Sequence, residues 1–193
     1  MKGVMIQGTS SDSGKSFITT ALCRIFSDMG YKVCPFKSQN MSNNSFVTVN
    51  GLEMGRAQAV QAEAARLQPD VFMNPILLKP QKDAPVEIIL MGEVYDLPIG
   101  SKYKDFTMTK GLETLRLCLK QIETNFELML VEGAGSPAEI NLNEHEIVNM
   151  RVAREADVPV ILVADVNRGG ALASIVGTLE LLGEDRKRVK GLI

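Results

Sequence analysis

Near the amino terminus, Gly8-Thr9-Ser10-Ser11-Asp12-Ser13-Gly14-Lys15-Ser16 sets small residues, a lysine and a hydroxyl in the order that cradles a phosphate chain. Small side chains let successive backbone N–H groups turn inward, and the start of the following helix adds positive potential. Lys15 reaches the outer phosphates, and Ser16 can ligate Mg²⁺. Gly8, Thr9, Ser11, Asp12, Ser13, Gly14, Lys15 and Ser16 are therefore read as nucleotide-binding residues. Five residues rather than four separate Gly8 from Gly14, which makes this a variant of the common loop. A Ser/Gly-rich turn without a ligand shares the composition. Gly-Lys-Ser opening a helix straight after an apolar strand favours phosphate.

Two acidic residues follow apolar runs. Glu132 closes Leu128-Met129-Leu130-Val131, and Asp165 closes the run from Val158 to Ala164. Ligands of open parallel sheets sit beyond the carboxyl ends of the strands. Glu132 is accordingly expected in the Mg²⁺ shell, and Asp165 either near the nucleotide or as the cap of the next helix. The Asn/Thr-Lys-x-Asp pattern that reads guanine is missing from the sequence, so ATP is the expected nucleotide.

After the second apolar run comes Lys37-Ser38-Gln39-Asn40-Met41-Ser42-Asn43-Asn44-Ser45, rich in amides and without a carboxylate. Lys37 can neutralise a substrate carboxylate or a migrating phosphoryl group, and Ser38, Gln39 and Asn40 can bind carboxylates and carboxamides. Arg56 and Gln58 on the next helix, where Gln58 and Gln61 share one face, could reach substrate, and Asn74 and Lys79 are weaker candidates of the same kind. Catalysis is assigned to Lys15, Lys37 and Glu132. His145 stands alone among acidic neighbours and is given no catalytic part.

These residues need a scaffold that gathers strand ends on one edge. Apolar runs at Val4 to Gln7, Lys32 to Phe36, Leu128 to Glu132, Val158 to Ala164 and from Val189 read as buried parallel strands. Helical periodicity covers Lys15 to Met29, Glu53 to Leu67, Thr109 to Thr124, Ile147 to Ala156 and Gly170 to Leu182. The alternation predicts an α/β P-loop fold, a mainly parallel sheet with helices on both faces. Residues 68–104 carry Pro69, Pro75, Pro80, Pro85 and Pro98, and read as an insertion holding a small hairpin or edge strands. A last strand of five residues suggests one domain over 1–193, truncated at its carboxyl end.

The chain has 193 residues, 45% hydrophobic and 23% charged, with a net charge of −2. That balance fits a globular domain and lacks the basic excess of a nucleic-acid binder. No apolar run reaches the roughly 18 residues of a membrane span. Cys23, Cys34 and Cys118 are scattered without a paired motif, as expected of reduced thiols in the cytoplasm.

Seven segments together resemble the amino-terminal domain of the cobyric acid synthase family, a relative of dethiobiotin synthetase: GTSSDSGKS, PFKSQNMSNNS, EMGRAQAVQAEAA, MNPILLKP, VEGAGSPAEINL, IVNMRVA and ADVNRGG. The resemblance implies an ATP-dependent amidoligase that amidates four carboxylates of a corrinoid, adenosylcobyrinic acid a,c-diamide. It also implies ammonia from a glutaminase domain that this chain lacks, and it is compatible with a homo-oligomer. Asn167 and Glu146 stand where the family commonly has acidic and Asp residues, respectively. Relatives place a second acidic metal ligand after the second strand, where this chain has amides. Mg²⁺ is then expected on Ser16, Glu132, phosphates and water, with Asp12 as an outer partner. The alternatives are a dethiobiotin synthetase-like ligase and a nucleotide-switched partner-binding ATPase. Ser10 stands where the switch ATPases carry an extra lysine, which argues against the second.

Overall fold

The computed structural model describes residues 2–82, 85–141, 145–167 and 169–193. From the amino terminus, β1 (Lys2–Gly8) leads through the phosphate-type loop into α1 (Lys15–Asp28), followed by β2 (Val33–Phe36), β3 (Gln39–Met41), β4 (Ser45–Val47), β5 (Glu53–Gly55) and α2 (Arg56–Ala64). A short turn of helix at Val71–Met73 precedes β6 (Ile76–Lys79), β7 (Glu87–Leu90) and β8 (Glu93–Tyr95). Then come α3 (Tyr103–Phe106), a π-helical turn at Thr107–Gly111, α4 (Leu112–Asn125), β9 (Leu128–Glu132), α5 (Met150–Glu155), β10 (Val160–Val163), α6 (Ala171–Leu181) and β11 (Val189–Leu192).

The main sheet has five parallel strands in the order β11-β10-β1-β9-β2. β1 lies inside it, with Met5 opposite Val160 on one side and Val131 on the other. Alternation along β9 shows why both faces are covered. Leu130 packs with Cys23 and Val33 and with Leu22 and Phe26 of α1. Its neighbours Met129 and Val131 pack with Leu115 and Ile122 of α4 and Val152 of α5. A strand that is apolar at every position is what such double burial requires. All five expected strands and the helix-covered parallel sheet are therefore present. Cys23, Cys34 and Cys118 are buried free thiols, and burial pushes Cys23 and Cys118 up to about 12. Among the described residues no helix is long and apolar enough to cross a membrane.

A smaller four-stranded sheet, β3-β6-β7-β8, stands beside the main one. β3 runs parallel to β6, and β6, β7 and β8 form an antiparallel meander. Ile76, Leu78 and Ile88 of this sheet pack on Phe106 and Ile147.

Three helices depart from their expected bounds. Residues 53–55 form β5 against β4 rather than the first turn of the helix, because Gly55 holds an extended conformation and donates its N–H to Asn74 Oδ1 at 2.8 Å. The helix expected from Thr109 begins instead at Tyr103, through the π turn. The helix expected from Ile147 begins at Met150, because the Glu146 carboxylate accepts the N–H groups of Val148, Asn149 and Arg151 at 2.6, 2.6 and 3.0 Å. One side chain thereby satisfies three backbone donors at a helix entry.

Candidate active site

The carboxyl ends of β1, β2 and β9 open on a cleft of about 760 Å³. One wall is the loop of residues 8–16. Gly8 admits no side chain, since a Cβ there would lie 2.1 Å from Ser13 Oγ and 2.9 Å from Lys15 Nζ. Gly14 takes φ 98° at the start of α1, a left-handed conformation that suits glycine. Lys15 Nζ donates to the carbonyls of Ser10 at 2.7 Å and Gly135 at 3.0 Å, which holds the ammonium between the loop and the segment after β9. Burial lowers its pKa, an effect opposed by Glu132, reinforced by Lys37 and opposed by Asp12.

Glu132 is the centre of the site and is 1% exposed. Its Oε1 accepts from Ser16 Oγ at 2.7 Å and from Lys37 Nζ at 2.7 Å. Its Oε2 accepts from Gln61 Nε2 at 2.5 Å. Ser16 comes from α1, Lys37 from the end of β2, and Gln61 from α2, which packs on both α1 and β2. The backbone of Lys37 is fixed at both ends, its N–H donating to the Met73 carbonyl at 2.8 Å and its carbonyl accepting from Asn74 Nδ2 at 2.9 Å.

The amide run forms the opposite wall. Gln39 and Asn40 line the cleft. Tyr103 donates its hydroxyl to Gln39 Oε1, and burial raises the pKa of that phenol. Asn40 Nδ2 donates to Gln58 Oε1 at 3.1 Å, while Gln58 Nε2 is buried without a partner. Phe17 and Met41, both largely exposed, stand at the cleft as apolar groups.

Of the residues singled out in the sequence, the fold brings Ser11, Asp12, Gly14, Lys15, Ser16, Lys37, Gln39, Asn40 and Glu132 to the cleft. Gly8, Thr9 and Ser13 are not in the cleft wall, and Gly8 lies against Ser13 within the loop. Ser38 is buried, donating to the Ile147 carbonyl at 2.5 Å, and Gln58 supports Asn40 from behind. Four candidates are elsewhere. Arg56 is exposed over the Phe46 ring, 5.6 Å from its centroid. The Asn74 amide serves the backbones of Lys37, Gly55 and Ile76. Lys79 pairs with Glu53 and Glu87 at 2.9 and 3.6 Å, which raises its pKa. Asp165 accepts the N–H of Asn167 at 2.9 Å in the turn after β10. His145 is exposed and outside the cleft wall.

Gln61 and Asn149 carry roles that the sequence reading did not assign. Asn149 braces the segment after β9, its Oδ1 accepting from Ala134 N–H at 3.2 Å and its Nδ2 donating to the Ala134 carbonyl at 2.7 Å. The available signal for Gln61 was its place beside Gln58 on one face of an Ala-rich helix.

The donor set suits Mg²⁺. Ser16 Oγ and Glu132 Oε1 are hard oxygens 2.7 Å apart, with the Asp12 carboxylate lining the same cleft. Among the described residues no group of three or more His, Cys, Asp or Glu side chains forms a metal cage. Mg²⁺ normally takes one or two carboxylates and completes its octahedron with phosphates and waters, a pattern that Ser16 and Glu132 could enter.

A family profile described as "CobQ/CobB/MinD/ParA nucleotide binding domain" matches residues 4–193. Cobyric acid synthase of Anoxybacillus flavithermus is 53% identical over 191 residues, which is 98% of this chain and 38% of that protein. Cobyric acid synthase of Clostridium botulinum (strain Loch Maree) is 53% identical over 194 residues, 100% of this chain and 39% of that protein. The chain thus spans about two fifths of the length of these relatives. Among solved structures, the signal recognition particle 54 kDa protein of Aeropyrum pernix in complex with GDP matches with a TM-score of 0.55 and 14% identity, covering 99% of this chain and 34% of that one. That likeness is one of fold.

Proposed function

The chain belongs to the CobQ/CobB/MinD/ParA nucleotide binding domain family, and on that premise we propose that it is the ATP-binding portion of a glutamine-dependent amidoligase of the cobyric acid synthase type. The substrate is adenosylcobyrinic acid a,c-diamide, whose four free peripheral carboxylates are amidated to give adenosylcobyric acid in the cytoplasm. Ammonia is supplied by a glutaminase domain in the remaining length of the polypeptide. Residues 68–104 are an insertion in this nucleotide-binding unit.

The observation that carries the reading is the gathering of Lys15, Ser16 and Lys37 around the buried Glu132, in a cleft with no histidine in its wall. Such a site suits a reaction that needs charge neutralisation and alignment more than a general base. A substrate carboxylate is already a nucleophile. Its oxygen forms a bond to the γ-phosphorus as the bond to the bridging oxygen breaks and ADP leaves. Ammonia then attacks the acyl carbon, loses a proton and expels phosphate, leaving the amide. Lys15 and the loop N–H groups hold the phosphates, and Lys37 balances the carboxylate and the migrating phosphoryl group. Ser16 and Glu132 would hold Mg²⁺, with Asp12 as outer partner; the bound ion would neutralise charge on the β- and γ-phosphates.

The test is ADP release from Mg-ATP in ammonium chloride, with and without adenosylcobyrinic acid a,c-diamide, on this chain and on the longer polypeptide. Release that depends on the corrinoid supports the reading. ATP-driven dimerisation and hydrolysis indifferent to the corrinoid in both proteins would overturn it in favour of a nucleotide switch, and activity with a small diamine and CO₂ would redirect it to a dethiobiotin synthetase-like ligase.

A further inference from the structure

Glu132 has two carboxylate oxygens in different surroundings. Oε1 faces the loop, where Ser16 and Lys37 share it. The hydrogen bond the structure gives Oε2 comes instead from Gln61 of α2. Gln61 and Glu132 are 0% and 1% exposed. A carboxylate has no hydrogen to give, so the amide must face it through Nε2. That leaves Gln61 Oε1 buried without a partner. An apolar side chain of the same length would fill this space without burying a polar oxygen. The bond to Oε2 is what the amide adds.

We propose that Gln61 is a positioning residue, which pins Oε2 of Glu132 and so presents Oε1 to the metal side of the nucleotide. The inference rests on the reading of Glu132 as a metal-side carboxylate. The amide is neutral, which matters beside Lys15 and Lys37: it fixes the carboxylate without adding a third cation that would draw its charge away from the cleft. It is also delivered by α2, seated on α1 and β2, the two elements that carry Ser16 and Lys37. The three donors to Glu132 therefore come from elements packed against one another.

The test uses ADP and Mg²⁺ binding rather than turnover. Gln61→Met keeps the unbranched side chain and removes the donor. In the parent, ADP affinity should tighten as Mg²⁺ is added. In the variant, half-saturating Mg²⁺ should rise about tenfold or more, as for other lost partners of metal-ligating groups, while ADP affinity in EDTA stays close to the parent's. An unchanged Mg²⁺ dependence, or an equal fall in metal-free affinity, overturns the inference. A double-mutant cycle gives a second measurement: in a Glu132→Gln background, Gln61→Met should produce no further change in Mg²⁺ dependence, and a full additional loss counts against it. A parent whose ADP affinity ignores Mg²⁺ overturns the reading of the site itself, and the inference with it.

Discussion

Lys37 Nζ lies 2.7 Å from Glu132 Oε1, an ion pair that ties the end of β2 to the end of β9 with side chains 10% and 1% exposed. Charges this deep are costly to separate, because the Glu132 carboxylate left behind keeps only the neutral donors Ser16 and Gln61 within hydrogen-bond reach, with the Lys15 ammonium acting from further off. Lys37→Met should therefore destabilise the protein by about 3 kcal/mol. The double variant Lys37→Met/Glu132→Gln should recover part of that loss, although it removes more polar groups. Urea denaturation of the two variants checks the order. A double variant less stable than the single one would show that the pair is not the dominant interaction of Lys37.

Lys15 opposes folding for a related reason. Its folded-state pKa lies below the ordinary 10.5 because it is buried. Between the two values the unfolded chain binds the proton more tightly, so the lysine's contribution makes stability rise with pH in that window; below both it is flat and unfavourable. Lys15→Met should lose this rise, which lies below the ordinary 10.5, so its stability should be flatter than the nucleotide-free parent's on the alkaline side. Its ATP turnover should fall about 100-fold or more. Denaturant midpoints across the pH range, with an ADP-release assay, test both halves.

Gly8→Ala tests the loop directly. Its Cβ would force Ser13 and the Lys15 ammonium aside. Nucleotide affinity should drop about tenfold or more, equivalent to about 1.4 kcal/mol, with little change in the main sheet. Titration with a fluorescent ATP analogue, alongside circular dichroism, checks this.

Gly55→Ala addresses the other wall. A Cβ there would lie 2.6 Å from Asn40 Nδ2, 2.6 Å from Gln58 Oε1 and 2.8 Å from Asn74 Oδ1, while φ is ordinary. The expected cost is about 1–3 kcal/mol from overpacking. Because Asn40 is displaced and the phosphate loop is not, KM for the carboxylate substrate should rise more than KM for ATP. An equal rise in both would place Asn40 outside the second-substrate side.

What the sequence made legible follows from how far apart the cooperating residues lie. The loop of residues 8–16 is contiguous, so its spacing and its place between an apolar run and a helix carry its meaning. Glu132 was visible as the acidic end of an apolar run. Gln61 bonds to a partner 71 residues away, and nothing in an Ala-rich helix distinguishes an amide that meets a carboxylate from one that meets water. Asn74 illustrates the reverse: the sequence offers it as a weaker substrate candidate, whereas its amide serves three stretches of backbone. The run from Lys37 to Ser45 showed its polarity but not β3 and β4, because both strands draw their partners from beyond the run, β6 and β5.

Only Lys37 and Ser38 separate the last residue of β2 in the main sheet from the first of β3 in the smaller one. Side chains along a strand alternate faces with a period of two, and with two residues between β2 and β3 there is little chain to absorb an added or deleted residue. Such a change should strain either the Lys37 bond to Glu132 or the Asn40 bond to Gln58. A scan of single-residue insertions along the chain should show a sharp gap in tolerance at positions 36–39, flanked by permissive sites in the exposed turn at residues 49–51. The chain length across this splice is thus a functional quantity in its own right, independent of which amino acids occupy it.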